Sequence, residues 1–195
     1  MELSINSKVT NKQLDKMCME KGYAMNSLGI TLTYEFVERS VDFNWCDILL
    51  AIESRYILYE VAKKYASVEL EWNDSSDVLE LAILTDNELE RPHLIHPYLD
   101  RLAEEVSEQD KAKAKHKILY LALKWTFENK KFFEDPLRVV EFIFADFNYP
   151  RIIAHFVRYM PMIESDLGST ELNVAKLLSK WESYLDEQEQ LYKKD

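Results

Sequence analysis

Histidines and carboxylates are the side chains in this sequence that could support acid–base or metal chemistry, and few of them have the spacing that a reaction needs. His93 and His96 lie three residues apart with Asp100 beyond them, and residues at this spacing could coordinate a metal ion. Pro97 directly follows the pair and argues against one regular helical face, and no cysteine or glutamate completes a recognisable zinc pattern. We interpret the two histidines as a surface or loop pair and predict no metal and no cofactor.

Carboxylates number 35, so a pair of them carries little information by itself. Glu141 and Asp146 lie five positions apart on one predicted helix, which places them on different faces at 3.6 residues per turn. A serine-nucleophile elbow or a phosphate-binding loop needs glycines, and the three glycines at positions 22, 29 and 168 form neither motif. A non-enzymatic protein is therefore the leading interpretation. The alternative is a small metal-dependent hydrolase or nucleotide-handling enzyme that uses helix-borne carboxylates such as Glu141 and Asp146.

The formal net charge of −11 is concentrated in one stretch of the chain. Between Glu69 and Asp110 there are 13 acidic residues and two basic ones, so this stretch carries the whole net charge. A local excess of this kind steers a basic protein partner, whereas it disfavours nucleic acid or an anionic membrane. The other interpretation is a solvated face that the neighbouring lysines balance. Helical periodicity predicts that six acids of the stretch are exposed and share one face if helices 76–84 and 99–106 lie side by side: Asp74, Asp77, Glu80, Glu104, Glu105 and Glu108.

Composition defines the elements that must position these residues. Three glycines and five prolines in 195 residues leave too few turn residues for a β-sandwich or a glycine-rich nucleotide-binding fold. The apolar spacing predicts about nine helices in a single irregular all-α domain over residues 32–192, with no significant sheet. Residues 1–31 read as an N-terminal helical extension, in which Thr10 caps a helix that Gly22 ends, followed by a linker.

The longest predicted helix begins at Ser107 and runs to about Asn129. Its second half is apolar nearly all round, which predicts a central, buried segment with Trp125 deep in the core. Asn44 and either Ser169 or Thr170 are predicted to cap other helices. Three of the four tryptophans lie on apolar helix faces and are assigned to the core rather than to a ligand cage, whereas Trp72 is expected to be partly exposed.

The two cysteines, Cys18 and Cys46, have no metal or redox spacing, and the first residues contain no apolar leader segment. No apolar run approaches the length of a membrane span. These features predict a reduced, cytoplasmic protein.

A proline-punctuated motif dominates the third quarter of the chain. Asp135 and Pro136 are a helix start signal, Tyr149 and Pro150 form a tight corner, and Arg158 precedes Pro161 at the end of the next predicted helix. We expect the positive charge of Arg158 to interact favourably with the helix dipole or to pair with the Asp146 carboxylate.

This motif, which runs from Asp135 to Pro161, resembles a bacterial family known as domain of unknown function 2247. The Asn44–Ile48 segment is similar to a Trp-Ser-Asp-Ile segment of the same family, and the resemblance extends over roughly residues 32–185. The family has no assigned activity to transfer. Because small acidic helical proteins of this kind accompany toxin genes in bacteria, the resemblance favours an immunity protein that neutralises a basic toxin through its acidic face.

Overall fold

The computed structural model describes residues 8–21, 25–103, 106–161 and 168–192. Within these ranges the chain is helical, and the one extended pairing is an isolated parallel bridge between Val9 and Phe133. The predicted all-α class is confirmed, and nine of the described α-helices have seven or more residues. None of the described helices is both long enough and apolar enough to cross a membrane. The helices are α1 (Asn11–Lys21), α2 (Tyr34–Ser40), α3 (Trp45–Glu53), α4 (Tyr59–Glu69), α5 (Ser76–Ile83), α6 (Asp86–Leu89), α7 (Pro92–Ala103), α8 (Glu108–Glu128), α9 (Pro136–Asp146) and α10 (Thr170–Tyr192), with 3-10 helices at Lys130–Phe132 and Arg151–Phe156.

The described chain divides into two compact units, with the boundary between Ile118 and Leu119 inside α8. We call Thr31–Ile118 the middle unit, and the described residues up to Ile30 and from Leu119 onward the terminal unit. The N-terminal helix α1 thus groups with the C-terminal part of the chain, and its Leu14 is fully buried. The predicted division into an extension and a domain at residues 31 and 32 stays a prediction.

In the middle unit, side chains that cap helices fix where α2 and α3 begin. Thr33 accepts a hydrogen bond from the Phe36 amide, and Asn44 forms a reciprocal capping box with Asp47 at 2.9 and 3.0 Å. The predicted Asn44 cap is confirmed. Helix α5 packs against α4 and α7, and α7 also packs against α3 and α6. The core of this unit includes Leu32, Ile48, Tyr56, Ile57, Ala66, Val78, Leu81, Ile95 and Leu99.

Helix α7 corrects the expectation that one helix would not hold both Pro92 and Pro97. Pro92 is the first helical residue, where a missing amide proton costs nothing. Pro97 lies inside the helix and removes the hydrogen bond to the carbonyl of His93, whose exposed position leaves that turn open to solvent. Burial of Ile95 and Leu99 on the inner face offsets the lost bond.

The middle of α8 is buried on every side, as its apolar composition predicts. All six residues of Ile118–Leu123 are at most 1% exposed. Trp125 is only partly buried, so its predicted place deep in the core is wrong. In the next turn, the residue that faces the core is Thr126, which is fully buried. Its hydroxyl donates a hydrogen bond to the Ala122 carbonyl at 2.8 Å, so no polar group is left unsatisfied by this burial.

The core tryptophan of the terminal unit is Trp181 on α10. It is fully buried, meets the ring of Phe127 edge-on at a centroid distance of 5.0 Å and stacks on Phe156 at 6.4 Å. Helix α10 has 23 residues and α8 has 21, so the prediction that α8 is the longest helix is wrong. Ser169 caps α10 by accepting from the Leu172 amide at 3.2 Å, which confirms one of the two predicted caps.

The segment after α9 is a 3-10 helix and not the predicted α-helix up to Pro161. Asn148 and Tyr149 both adopt left-handed backbone conformations with φ near 60°, and the Tyr149 amide donates to the Phe144 carbonyl at 2.8 Å. The chain thereby turns before Pro150. The buried residues Ile153 and Phe156 are three positions apart, which matches the three residues per turn of a 3-10 helix.

At the N-terminus, Thr10 caps α1 as predicted, because its hydroxyl accepts from the Gln13 amide at 3.3 Å. Gly22, predicted to end this helix, and the loop at 162–167 lie outside the described residues.

The contrast between the two tryptophans gives a stability prediction. Trp181→Ala should lower the free energy of unfolding by about 3–5 kcal/mol, the range for large truncations in a core. Trp125→Ala should cost about 1–2 kcal/mol, because part of that side chain already faces water. Urea unfolding followed by circular dichroism measures both, and a Trp125→Ala cost equal to that of Trp181→Ala would contradict this assignment of the core.

Candidate functional site

The predicted acidic face lies in the middle unit, where α5 and α7 pack side by side. Asp74, Glu80 and Glu108 are exposed, as expected. Glu108 accepts from the Lys111 ammonium at 2.8 Å, so only part of its charge acts at a distance. Glu104 and Glu105 lie outside the described residues.

Asp77 differs from the other acids because it is part of an ion pair between the two helices. Arg101 on α7 donates to both carboxylate oxygens of Asp77 at 2.7 to 3.1 Å, and the Asp77 side chain is only 22% exposed. These hydrogen bonds hold the pKa of Asp77 below its usual value. The prediction that Asp77 is solvent-exposed is therefore wrong, and we assign it to the packing of α5 on α7.

Large apolar side chains are exposed within the same acidic stretch. Trp72 is 70% exposed just after α4, and Leu79 and Ile83 are 48% and 62% exposed on α5. Leu79 and Ile83 lie four residues apart and therefore share one face of the helix. Exposed apolar groups rimmed by polar residues are typical of protein-binding surfaces. The sequence gives this signal only for Trp72, which stands at a predicted helix end.

A pocket of about 180 Å³ opens in the middle unit beside this stretch, between α2, the segment leading into α3, and α4. Valines and an isoleucine of these elements form part of its wall. Four aromatic side chains and two carboxylates complete the lining: Tyr34, Phe43, Tyr65, Trp72, Glu38 and Asp42. Sequence reasoning missed this pocket, because its residues come from several helices between positions 34 and 72.

Tyr65 is the fixed point of the pocket wall. Its hydroxyl donates to the Phe43 carbonyl at 2.7 Å, and its ring meets Trp45 edge-on at a centroid distance of 4.9 Å. Burial, followed by the negative charges of Glu69, Asp42 and other nearby acids, raises the pKa of Tyr65 far above its usual value. The pocket therefore lies in a negative electrostatic field.

The motif residues of the terminal unit are joined by hydrogen bonds among themselves. Asp135 caps α9 by accepting from the Arg138 amide at 3.3 Å, as predicted, and Pro136 is the first residue of that helix. Arg158 donates to Asp135 at 2.8 Å and to Glu141 at 3.0 Å. Arg158 lies two residues beyond the 3-10 helix and pairs with these two acids, not with Asp146 as expected.

Asp146 instead holds a segment that lies 119 residues earlier in the chain. One of its carboxylate oxygens accepts hydrogen bonds from both the backbone amide and the hydroxyl of Ser27, at 2.9 and 3.0 Å. Burial raises the pKa of Asp146 to about 6, although the two hydrogen bonds from Ser27 act in the opposite direction. Tyr149 packs edge-on against Phe144 at 5.3 Å, and Pro150 is the cap residue directly before the 3-10 helix.

The histidine pair lies on α7. His93 is exposed, and the Nε2 atom of His96 is 2.8 Å from the hydroxyl of Tyr59. In the described ranges, no group of three or more His, Cys, Asp or Glu residues has an arrangement that could hold a metal ion.

Residues 34–189 match a family described as "uncharacterized protein conserved in bacteria (DUF2247)". The chain belongs to this family. The match confirms the resemblance and agrees closely with its expected extent. No curated protein matches the chain significantly, and no solved structure does. Membership of the DUF2247 family covers the α2–α10 part of the chain, including the pocket, the acidic stretch and the motif.

The Asp135 cap can be separated from the Arg158 ion pair by substitution. Asp135→Ala should lower the free energy of unfolding by about 0.5–2 kcal/mol through the lost cap. Asp135→Asn should cost less, because asparagine caps as well as aspartate and loses only the charge that faces Arg158. Thermal and urea unfolding measure both variants. Equal losses in both would show that the ion pair, and not the cap, is the main contribution of Asp135.

The raised pKa of Asp146 predicts a pH dependence that most carboxylates do not give. Because the folded state favours its protonated form, its stabilising contribution is complete below about pH 3.8 and is lost as the pH rises through about 6. Asp146→Asn removes this titration, so the variant should gain stability relative to the wild type between pH 4 and pH 7, by a difference on the order of 1–3 kcal/mol. Urea unfolding at four pH values measures this. Asp186→Asn on the exposed face of α10 is the control, and a pH-independent difference for Asp146→Asn would overturn the interpretation.

Proposed function

We propose that the chain is a non-enzymatic, cytoplasmic protein-interaction module, and that its acidic middle unit neutralises a basic toxin as an immunity protein. The observation that carries this proposal is the combination of exposed apolar side chains with a concentrated negative charge. Trp72, Leu79 and Ile83 lie exposed within a stretch that carries the whole net charge of the chain. Tryptophan is the residue type most enriched among the side chains that dominate binding energy at protein interfaces.

The two kinds of side chain have different roles in this proposal. Exposed acids such as Asp74 and Glu80 attract a basic partner from a distance and orient it, which raises the association rate. The apolar groups then lose their contact with water on binding, which slows dissociation. No catalytic residue is needed, because the acidic face would occupy the surface on which the toxin binds its anionic substrate.

The state of the two cysteines supports the proposed cytoplasmic location. Cys18 and Cys46 are both free and partly buried, as expected of a protein in a reducing compartment.

The alternative function, a metal-dependent hydrolase or nucleotide-handling enzyme, stays a prediction. Its candidate carboxylates have separate partners, since Glu141 accepts from Arg158 and Asp146 accepts from Ser27.

A bacterial growth assay tests the proposal and identifies the toxin at the same time. Each polypeptide encoded beside this gene is produced in a host cell, alone and together with the chain. We expect one of them to arrest growth alone, and the chain to restore growth by forming a complex with it. The proposal is contradicted if none arrests growth, or if the chain gives no protection against one that does.

Charge reversal then tests the acidic face within that complex. The triple variant Asp74→Lys, Glu80→Lys, Glu108→Lys should associate at least about tenfold more slowly at low salt, and the difference should shrink at high salt because exposed charges are screened. The matched control reverses three exposed acids of the terminal unit, Glu171, Glu182 and Asp186, and changes the net charge equally. Stopped-flow measurement decides the matter, and equal on-rates for the two variants would mean that the face serves only solubility.

A further inference from the structure

The pocket of the middle unit has the size of a single side chain. Its volume is about 180 Å³, and an apolar cavity of about 150 Å³ holds one benzene molecule. Pockets for drug-sized ligands start at about 300 Å³. A nucleotide or a larger cofactor is therefore too big for it, whereas one long side chain of another protein fits.

The charges in the lining favour a cationic occupant. The two charged residues of the lining, Glu38 and Asp42, are both acids and both exposed. Further back, one carboxylate oxygen of Glu69 is buried and has no hydrogen-bond partner among the described residues. Glu69 lies one helical turn beyond Tyr65 in α4, and its negative charge contributes to the raised pKa of that tyrosine.

The aromatic rings of the lining already attract cations of this chain. The Lys64 ammonium lies over the Tyr34 ring at 5.3 Å from its centroid, and the Lys117 ammonium lies 6.0 Å from the Phe43 centroid. Each lysine is neutralised by its own carboxylate, Lys64 by Glu35 and Lys117 by Asp47. The lining itself contains two acids and no base, so its formal charge is negative.

Among the aromatic residues of the lining, Trp72 is the one whose ring contacts no cation and no other aromatic ring of the described residues. It is 70% exposed, so a group from outside can reach the face of its indole. Tryptophan is the strongest partner for a cation among the aromatic side chains, and arginine is the cation that most often stacks on it, because the guanidinium is planar and weakly hydrated.

We infer that this pocket binds an arginine side chain of the basic partner, with the guanidinium stacked on Trp72 and neutralised by Glu38. The inference rests on the proposed function for the identity of the partner, and it adds the chemical group that the partner inserts. The exposed acids Asp74 and Glu80 would attract the partner, and the pocket would then select one residue of it.

The probe is N-acetylarginine methylamide, and its matched control is the citrulline derivative, which has the same shape without the charge. Nuclear magnetic resonance of the full chain follows the Trp72 indole N–H and the backbone amides of α2 and α4. We expect the arginine derivative to shift these signals and the citrulline derivative to bind about tenfold more weakly. Equal binding of the two derivatives, or shifts confined to α5 and α7, would overturn the inference.

Two substitutions test the residues. Trp72→Ala and Glu38→Gln should each weaken binding of the arginine derivative several-fold, whereas Glu60→Gln, which removes an exposed acid outside the lining, should leave it unchanged. Both positions are exposed, so circular dichroism should show an intact fold.

The growth test separates this inference from the proposed function. If the chain protects cells and Trp72→Ala protects equally well, the arginine pocket is wrong and the acidic immunity face stands. If the arginine derivative binds as expected and the chain protects against no neighbouring polypeptide, the proposed function is wrong, and with it the assignment of the arginine to a toxin. Loss of protection in Trp72→Ala together with arginine-selective binding supports both.

Discussion

The middle unit depends on one buried carboxylate. Asp47 is 2% exposed, and removing such a charge from water is costly unless it is fully paired. Its Oδ2 atom accepts from the Asn44 amide at 2.9 Å and from the Lys117 ammonium at 2.6 Å, so the charge is paired. Lys117 also donates to the Asp42 carbonyl at 2.8 Å. The segment that follows α2, the start of α3 and the first half of α8 are thus fixed to one another by a single charge.

This constraint has a consequence for binding. The segment from Asp42 to Ile48 forms one wall of the aromatic pocket, and it is held by the Asp47 pair on one side and by the Tyr65 hydroxyl on the other. A wall fixed in this way does not have to be ordered when a ligand arrives, so less of the interaction energy is lost on binding. Such a wall suits the proposed selection of a single side chain, in which the exposed acids Asp74 and Glu80 would act earlier and at longer range.

The two units use their charges differently. In the terminal unit, Arg158 pairs with Asp135 and Glu141, and Arg138 pairs with Asp15, so that acids and bases join neighbouring elements. In the middle unit, Asp77 has the same role with Arg101, but Asp74 and Glu80 remain exposed. Charges that join elements maintain the fold, and charges that remain exposed set up a field. Exposed acids such as Glu171 and Asp186 also occur in the terminal unit, but the excess of acids over bases lies in the middle unit, so we propose that binding occurs there.

Local features of the fold could be predicted from the sequence, and long-range ones could not. The caps at Asn44, Asp135 and Ser169 were predictable because a cap and its amide lie within three residues. Thr126 was not recognised as the inward residue of α8, because a threonine is buried only when a local carbonyl accepts its hydroxyl proton. The Asp146–Ser27 contact joins positions 119 residues apart, and no local pattern marks it.

The candidate site likewise has some features that the sequence reveals and others that depend on the packing of the helices. The acidic stretch is visible as composition, whereas the neutralisation of Asp77 by Arg101 depends on how α5 and α7 pack. The pocket depends on the packing of α2, α3 and α4, and no spacing in the sequence marks its aromatic residues as a group.

Amide hydrogen exchange tests the central claim, that the middle unit is the binding unit, most directly. It is measured on the full chain, alone and in complex with the polypeptide that the growth assay identifies. The account predicts slower exchange in residues 34–43 and 61–83, which contain the pocket and the exposed apolar groups, with α9 unchanged. Slower exchange confined to α9 and the 3-10 helix at 151–156 would contradict it and would make the family motif the binding surface.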